Sequence, residues 1–440
     1  MEKFIIEGGT PLYGSVRLGG AKNASFKAMI AACLAEGESR LLNFSRISDI
    51  EITSDIIESL GGKVRPSGER TLFVDSSSLK SYEIPEEFGP KSRASSMFLP
   101  VLLTKFGKGR VPLPGGDKIG KRPLGWHVEG LEAMGAKISQ DDRWLMGEVN
   151  GFVGTIYKFP KKSHTGTETL IMAGVLAKGK TIIENAALEP EVDDLITMLN
   201  NMGARIRRRA DEVIEVDGVE KLVPTIHKIM PDRNAAVSYG CAAIATGGDI
   251  IVENARKQDL QAFLDKLDEL GGGYDVGDYG VRFYYKGKLR ATDVVTEPHP
   301  GFMTDWQPLW AVLLMKATGT SVIHEAIHSF RFQYVEDLIK MGAKIELYEP
   351  KVKNPKEFYS FPIDNEHHLH AAKITGPTVL RGGKFTVHDL RAGATLVLAA
   401  LVDGGKTEIA GVEQIDRGYE ELDQKLRSMG AKIKRVKMVE

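Results

Sequence analysis

The sequence predicts an α/β protein built by repetition, and two interleaved patterns carry that prediction. In the first, a helical pattern ends on Leu or Met and is followed by Gly, a small residue and a strand. It occurs six times: L-G-G-K-V at Leu60, M-G-A-K-I at Met134, M-G-A-R-I at Met202, L-G-G-G-Y at Leu270, and M-G-A-K-I at Met341 and Met429. The spacing is about seventy residues and stretches in the last copy. In the second, an Ala/Leu-rich helix runs through a glycine turn into a strand, as in A-A-C-L-A-E-G-E-S-R-L-L and five counterparts. Together they read β-α-β-α-β-β in each unit.

Each piece has a local reason. The glycine of the first pattern is a helix C-cap, because it accepts a left-handed backbone cheaply. The apolar residue before it packs inward, and the alternation after it starts a strand. In the first copy Ser48-x-x-Glu51 reads as a capping box, and Ile52, Ile56, Ile57 and Leu60 form one apolar stripe. The helices of the second pattern are apolar nearly all round, which places them inside a core. Six units group as two sets of three more naturally than as three sets of two, although periodicity does not decide between them. A length of 440 residues is by itself compatible with roughly three domains.

Composition narrows the class. The chain is 42% hydrophobic and 27% charged, with 58 basic and 59 acidic side chains, so it has ample core. A net charge of −1 gives no reason to expect nucleic acid or a membrane as partner. The basic runs Arg205–Arg209 and Lys432–Lys437 fall on alternating, strand-like segments and read as solvated faces. Cys33 and Cys241 sit in Ala-rich apolar runs and read as small buried hydrophobes, with no zinc spacing and no disulfide framework. The start, M-E-K-F-I-I-E-G, has no apolar signal region, so the expected location is the cytoplasm.

Several stretches suit anion chemistry. G-G-A-K-N-A puts Lys22 and Asn23 at a helix start, where backbone amides and a point charge favour an anion. Pro112–Pro123 reads P-L-P-G-G-D-K-I-G-K-R-P: Gly115 and Gly116, then Asp117 among Lys118, Lys121 and Arg122. Gly115–Lys121 satisfies the first part of a P-loop, but Arg122 stands where Ser or Thr must hold magnesium, so the match is read as coincidence. Asp305 follows a Pro/Gly turn, positioned as a general base or as the cap of the helix starting near Trp306. Arg93, Arg331 and Arg391 stand near helix starts, and arginine is the best bidentate clamp for phosphate or carboxylate. His164 in K-S-H-T-G-T-E is most simply a loop histidine.

Taken together, G-A-K-N-A, P-G-G-x-x-I-G-x-R-P, P-H-P-x-F-x-T-D-x-Q and D-L-R-A with I-D-R-G-Y-E resemble one family, the UDP-N-acetylglucosamine 1-carboxyvinyltransferases of peptidoglycan synthesis. The resemblance runs from Phe4 to the C-terminal M-G-A-K-I-K-R-V. It implies a two-domain fold of three units each, an inside-out α/β barrel, with one domain at 22–230 and the other at 1–21 plus 231–440. It also implies an active site in the cleft between them. The implied reaction moves the enolpyruvyl group of phosphoenolpyruvate to the sugar 3-hydroxyl through a tetrahedral adduct, releasing phosphate and using no metal or organic cofactor. Phosphoenolpyruvate and UDP-N-acetylglucosamine are then the partners of a monomer or weak homo-oligomer.

By that resemblance Lys22, Arg122 and Arg391 hold phosphoenolpyruvate, with Arg93 in support. Asp305 takes the proton from the sugar hydroxyl, Asn23 contacts substrate, and Arg331 lies close to the reacting groups. Asp117 replaces the loop cysteine that most members carry; it would deliver a proton to the methylene carbon and leave the enzyme insensitive to fosfomycin, which alkylates that cysteine. Other departures fall on the sugar-nucleotide side. R-P-L-G-W (Arg122, Pro123, Gly125, Trp126) stands for R-P-V-D-L, and S-F-R-F (Ser329, Phe330) for E-N-R-F. Lys162–Gly166 puts His164 on a serine associated with the nucleotide phosphates, two residues before Gly166. A sister activity on shikimate 3-phosphate and a silent UDP-sugar-binding paralogue are the competing readings.

Overall fold

Every repeat folds onto the same small sheet. A short edge strand pairs in parallel with a second strand, the second pairs antiparallel with the fourth, and the third closes the far edge. Ile156–Lys158, Lys180–Glu184, Val213–Asp217 and Arg205–Ala210 lie side by side in this order. Among the described residues five sheets have four strands and one has three. In the three-stranded sheet (Lys108–Pro112, Trp144–Glu148, Lys137–Gln140) a single parallel bridge from Glu83 to Arg110 stands where the edge strand would be. The computed structural model describes residues 2–115, 119–120, 123–363 and 369–438, and Asp117 and Arg122 therefore lie outside the described residues.

The chain divides into two compact units. The central unit comprises 19–115 and 123–230, and the terminal unit comprises 2–18, 119–120 and 231–438. In each, sheets are completed by distant strands. Ile226–Lys228 pairs in parallel with Glu38–Leu42 in the central unit, and Glu2–Glu7 lies between Lys406–Ala410 and Lys432–Lys437 in the terminal one.

Each unit has a separate hydrophobic core, and the apolar helices supply it. All thirteen residues of helix Leu390–Val402 are buried, as are twelve of thirteen in Arg233–Ala245. A buried Leu or Val contributes roughly 1.5–3 kcal/mol relative to exposure, so the five Leu and Val side chains buried on helix Leu390–Val402 beyond its first residue are a substantial stabilising contribution. In the terminal unit Trp306 and Trp310 meet Phe263 and Phe302 edge-on, with ring centroids 5.5–6.1 Å apart. This cluster anchors the start of helix Gln307–Lys316, directly after Asp305.

The repeat glycines are left-handed: Gly61, Gly135, Gly203, Gly271, Gly342 and Gly430 have φ between 89° and 103°. The capping box is a correction. Helix Ser48–Ser59 takes Ile47 as its N-cap and has no side-chain cap bond, so Ser48 already lies inside the first turn. Asp305 is no cap either, since helix Gln307–Lys316 begins from Trp306 without one. The basic run on strand Arg205–Ala210 is a solvated face tied down by acids: Arg207 reaches Glu215 at 2.6 Å and Arg208 reaches Asp193 at 2.8 Å. Cys33 and Cys241 are buried, and burial pushes the Cys33 thiol up to about 12 and the Cys241 thiol up as well, which leaves both unreactive.

Candidate functional site

In the terminal unit three of the expected residues meet. Arg331 Nη2 donates to Asp305 Oδ1 at 2.7 Å, and Arg391 Nη2 donates to Oδ2 at 3.3 Å. The Arg331 and Arg391 side chains are only 3% and 6% exposed, whereas that of Asp305 is 23% exposed. The carboxylate therefore presents an accessible edge while two buried guanidinium groups fix its plane. Buried pairs of this kind are strongly interdependent, because removing one partner strands the other's charge.

Local sequence explains the placement. Asp389 accepts from the Arg391 and Ala392 amides and caps helix Leu390–Val402, so Arg391 leaves the first turn in a fixed direction. Arg391 Nη1 donates to the Tyr419 hydroxyl at 2.8 Å, and that hydroxyl also meets Ser238 Oγ at 2.7 Å. Burial works against the Arg391 charge, but the Tyr419 oxygen, Asp305 and Asp232 overcome it and hold the guanidinium above its ordinary value. On the other side, Asn234 accepts from Trp306 Nε1 at 2.9 Å and lies 3.5 Å from Asp305 Oδ2 through its Nδ2.

Glu325 ties the two loops that carry Asp305 and Arg331. It is fully buried, Oε2 accepts from the Thr304 hydroxyl at 2.9 Å, and Oε1 accepts from the Ile327 and His328 amides at 2.8 and 3.0 Å. Burial raises its pKa, partly offset by Arg331. Sequence reasoning missed Tyr419, Asn234 and Glu325. Tyr419 had a signal, since it lies inside the I-D-R-G-Y-E stretch; the other two had none beyond polarity in an apolar context.

The central unit holds the remaining expected residues. Lys22 opens helix Lys22–Ala32, is 9% exposed, and pairs with Asp49 at 2.9 Å. Gly20 before it is obligatory, because a Cβ there would lie 2.1 Å from the Asn43 carbonyl oxygen. Asn23 follows Lys22, half-buried, and Pro123 is exposed. His164 and Gly166 lie in the first turn of helix His164–Gly174, where Ser163 Oγ caps the Gly166 amide at 3.1 Å. His164 is engaged inward: its Nε2 is 2.9 Å from Lys27 and 3.2 Å from Glu168, which themselves pair at 2.5 Å with almost no exposure. Only its Nδ1 is left for a ligand, a narrower part than a free loop histidine would have.

Arg93 is half-buried before the short helix Ala94–Met97 and acts on His127. Burial, and secondarily Arg93, depress the His127 pKa to about 3, and its Nε2 meets the Thr165 hydroxyl at 2.8 Å. A histidine held neutral in the fold binds fewer protons than the unfolded chain, so stability falls as pH drops below about 6.5. The slope is about 1.4 kcal/mol per pH unit and persists to about pH 3. Denaturant unfolding at about pH 7 and pH 5 is expected to differ by roughly 2 kcal/mol more in the wild type than in His127→Gln.

Among the described residues no group of three or more His, Cys, Asp or Glu is arranged to hold a metal, and no helix is long and apolar enough to cross a membrane.

Six repeats of one sheet plan are the architecture of the enolpyruvyl transferases that this chain matches. The profile of the EPSP synthase (3-phosphoshikimate 1-carboxyvinyltransferase) family matches residues 6–426. The structure is similar to that of the enolpyruvyl transferase NikO from Streptomyces tendae, with a TM-score of 0.84, 23% identity, and coverage of 99% of this chain and 98% of that one. It is also similar to EPSP synthase from Acinetobacter baumannii, with a TM-score of 0.71 and 17% identity over 99% of this chain and 100% of that one. In sequence it is 41% identical over 440 residues to the UDP-N-acetylglucosamine 1-carboxyvinyltransferase of Sorangium cellulosum, covering 99% of each. It is 37% identical over 438 residues to UDP-N-acetylglucosamine 1-carboxyvinyltransferase 2 of Bacillus cereus, covering 100% of this chain and 97% of that one. Within the enolpyruvyl transferases, the chain belongs to the UDP-N-acetylglucosamine 1-carboxyvinyltransferase family.

Proposed function

We propose that this protein transfers the enolpyruvyl group of phosphoenolpyruvate to the 3-hydroxyl of UDP-N-acetylglucosamine and releases phosphate. The observation that carries the reading is Asp305, accessible at one edge and fixed by Arg331 and Arg391, in a chain 41% identical to a relative of that name over its whole length. In this reading Asp305 accepts the proton of the sugar hydroxyl as its oxygen bonds to C2 of phosphoenolpyruvate. Asp117 delivers a proton to C3, giving a tetrahedral adduct. Loss of a C3 proton and of phosphate then restores the double bond in the product. Lys22, Arg122 and Arg391 bind the phosphate and carboxylate, with Arg93 in support, because a trianionic substrate needs several cations at once. Asn23, Pro123, His164 and Gly166 serve the sugar nucleotide, and the functional domains divide near residues 21 and 230.

The test is phosphate release from phosphoenolpyruvate with UDP-N-acetylglucosamine, with shikimate 3-phosphate, and with no acceptor. Release is expected with the first alone. Release with shikimate 3-phosphate transfers the reading to the sister activity, and binding of the UDP-sugar without release identifies a silent paralogue.

A further inference from the structure

The internal repeat supplies its own control for one feature. In each of the first five repeats the third and fourth strands form a hairpin. Four of these turn in two or three residues, between Ser67 and Thr71, Gln140 and Trp144, Ala210 and Val213, and Gly277 and Gly280. The fifth leaves strand Lys344–Tyr348 and returns at Ala371–Gly376, so 22 residues, 349–370, stand where two or three suffice. Ordering the described residues of so long a connection costs conformational entropy, and a two-residue turn would preserve the same strand register.

Most described residues of this excursion are exposed, but Tyr359 and Phe361 are buried, and they pack on one place. Tyr359 and Phe361 form a small core of their own with Ala326, apart from the main core of the unit. The Ser360 amide donates to the Ala326 carbonyl at 2.7 Å, and the Glu325 amide donates to the His370 carbonyl at 2.8 Å. His324 stacks on Phe358 with ring centroids 4.7 Å apart and meets the Tyr359 hydroxyl at 3.1 Å. His370 stacks on Phe361 and bonds Glu349 at 2.8 Å. A cavity of about 160 Å³ separates Tyr359 and Phe361 from Ser329.

The clamped residues, 324–326, are the root of the loop that carries Arg331. Glu325 passes the restraint onward through the Ile327 and His328 amides and back to Thr304, the neighbour of Asp305. We propose that the excursion, through its described residues 349–363 and 369–370, is a positioning element that sets Arg331 against Asp305 and so fixes the alignment of the acceptor hydroxyl. The catalytic assignment of Asp305 rests on the proposed function; the positioning itself does not. Misplacing a reacting group by about 1 Å costs on the order of 10²-fold in rate, which sets the scale of the effect.

The experiment replaces 349–370 by a two-residue Asp-Gly turn, the length of the shortest sister turns, Asp211-Glu212 and Asp278-Tyr279, and pairs this variant with Tyr359→Ala and Tyr359→Phe. Shortening is expected to lower kcat with UDP-N-acetylglucosamine by roughly 10²-fold while leaving the KM for phosphoenolpyruvate within about twofold. Tyr359→Ala follows it part of the way, and Tyr359→Phe, which keeps the ring, recovers most of the loss. In an Arg331→Ala background shortening adds no further loss, because both changes act through one contact. Hydrogen exchange of the free protein gives an independent readout: amides of residues 327–333 lose at least about tenfold protection on shortening, with the other sheets unchanged. Retained kcat, or additive losses with Arg331→Ala, overturns the proposal, and so does unchanged exchange at 327–333. A wild-type protein without transferase activity would refute the proposed function, while the exchange result would still decide the positioning.

Discussion

Asp305→Asn is expected to lower kcat by about a thousandfold, within the roughly 10²–10⁴ that a positioned general base contributes, and to leave the KM for phosphoenolpyruvate unchanged or lower. The amide keeps the shape of the carboxylate and one acceptor oxygen, so geometry alone predicts little change. What it loses is the negative charge between Arg331 and Arg391 and, in the proposed mechanism, the ability to take a proton from the sugar hydroxyl. Leaving two buried guanidinium groups without that charge destabilises the free protein by a few kcal/mol, on the order of 3. An anionic substrate then offers what the side chain no longer does. Phosphoenolpyruvate should therefore raise the melting temperature of Asp305→Asn by more than it raises that of the wild type. A variant that keeps its turnover but loses phosphoenolpyruvate binding would show that Asp305 merely anchors the arginines.

Local signals carried the fold further than non-local ones. Gly61 and its five counterparts were legible because a left-handed C-cap is a property of four or five consecutive residues, and all six adopt it. The apolar helices were legible for the same reason. The sheet closures were not: nothing local in Glu2–Glu7 says that it pairs with Lys406–Ala410 and Lys432–Lys437, more than 390 residues away. Ser48 shows the limit at short range. The S-x-x-E spacing is present, but the helix starts one residue earlier than a capping serine requires. The stretched last interval, from Met341 to Met429, was visible as a number; the structure gives it a cause in the 349–370 excursion.

The site was legible in its charged members and not in their supports. Arg331 and Arg391 were singled out as clamps for anions and Asp305 as a general base or helix cap, and the family motifs grouped them; the structure places each guanidinium within 3.3 Å of the Asp305 carboxylate. Tyr419 and Glu325 orient those groups; Tyr419 was marked only by its place in I-D-R-G-Y-E, and Glu325 by nothing, because what each touches is set by tertiary packing. His164 illustrates the converse. Its local sequence reads as that of a loop histidine, and only the fold reveals that it stands in the first turn of a helix with Lys27 and Glu168 at its Nε2.

Asp117→Asn is expected to remove activity as fully as Asp305→Asn, by roughly 10²–10⁴-fold, whereas Asp117→Cys is expected to remain active and to become sensitive to fosfomycin. The reasoning starts from an electrostatic conflict in the sequence. A carboxyl that gives up a proton near neutral pH must be raised from about 3.9 to about 7, which corresponds to roughly 4 kcal/mol. Lys118, Lys121 and Arg122 favour the ionised form instead. The conflict resolves if bound phosphoenolpyruvate, with its phosphate and carboxylate, outweighs those cations, so that Asp117 becomes an acid only in the presence of substrate. A cysteine starts from about 8.5 and needs no such help. Activity that requires the protonated form falls as pH rises through its pKa, so the basic limb of kcat should lie at higher pH in Asp117→Cys than in the wild type. Coincident limbs in the two proteins, or full turnover by Asp117→Asn, would remove Asp117 from the proton-transfer step and leave the loop a binding role alone.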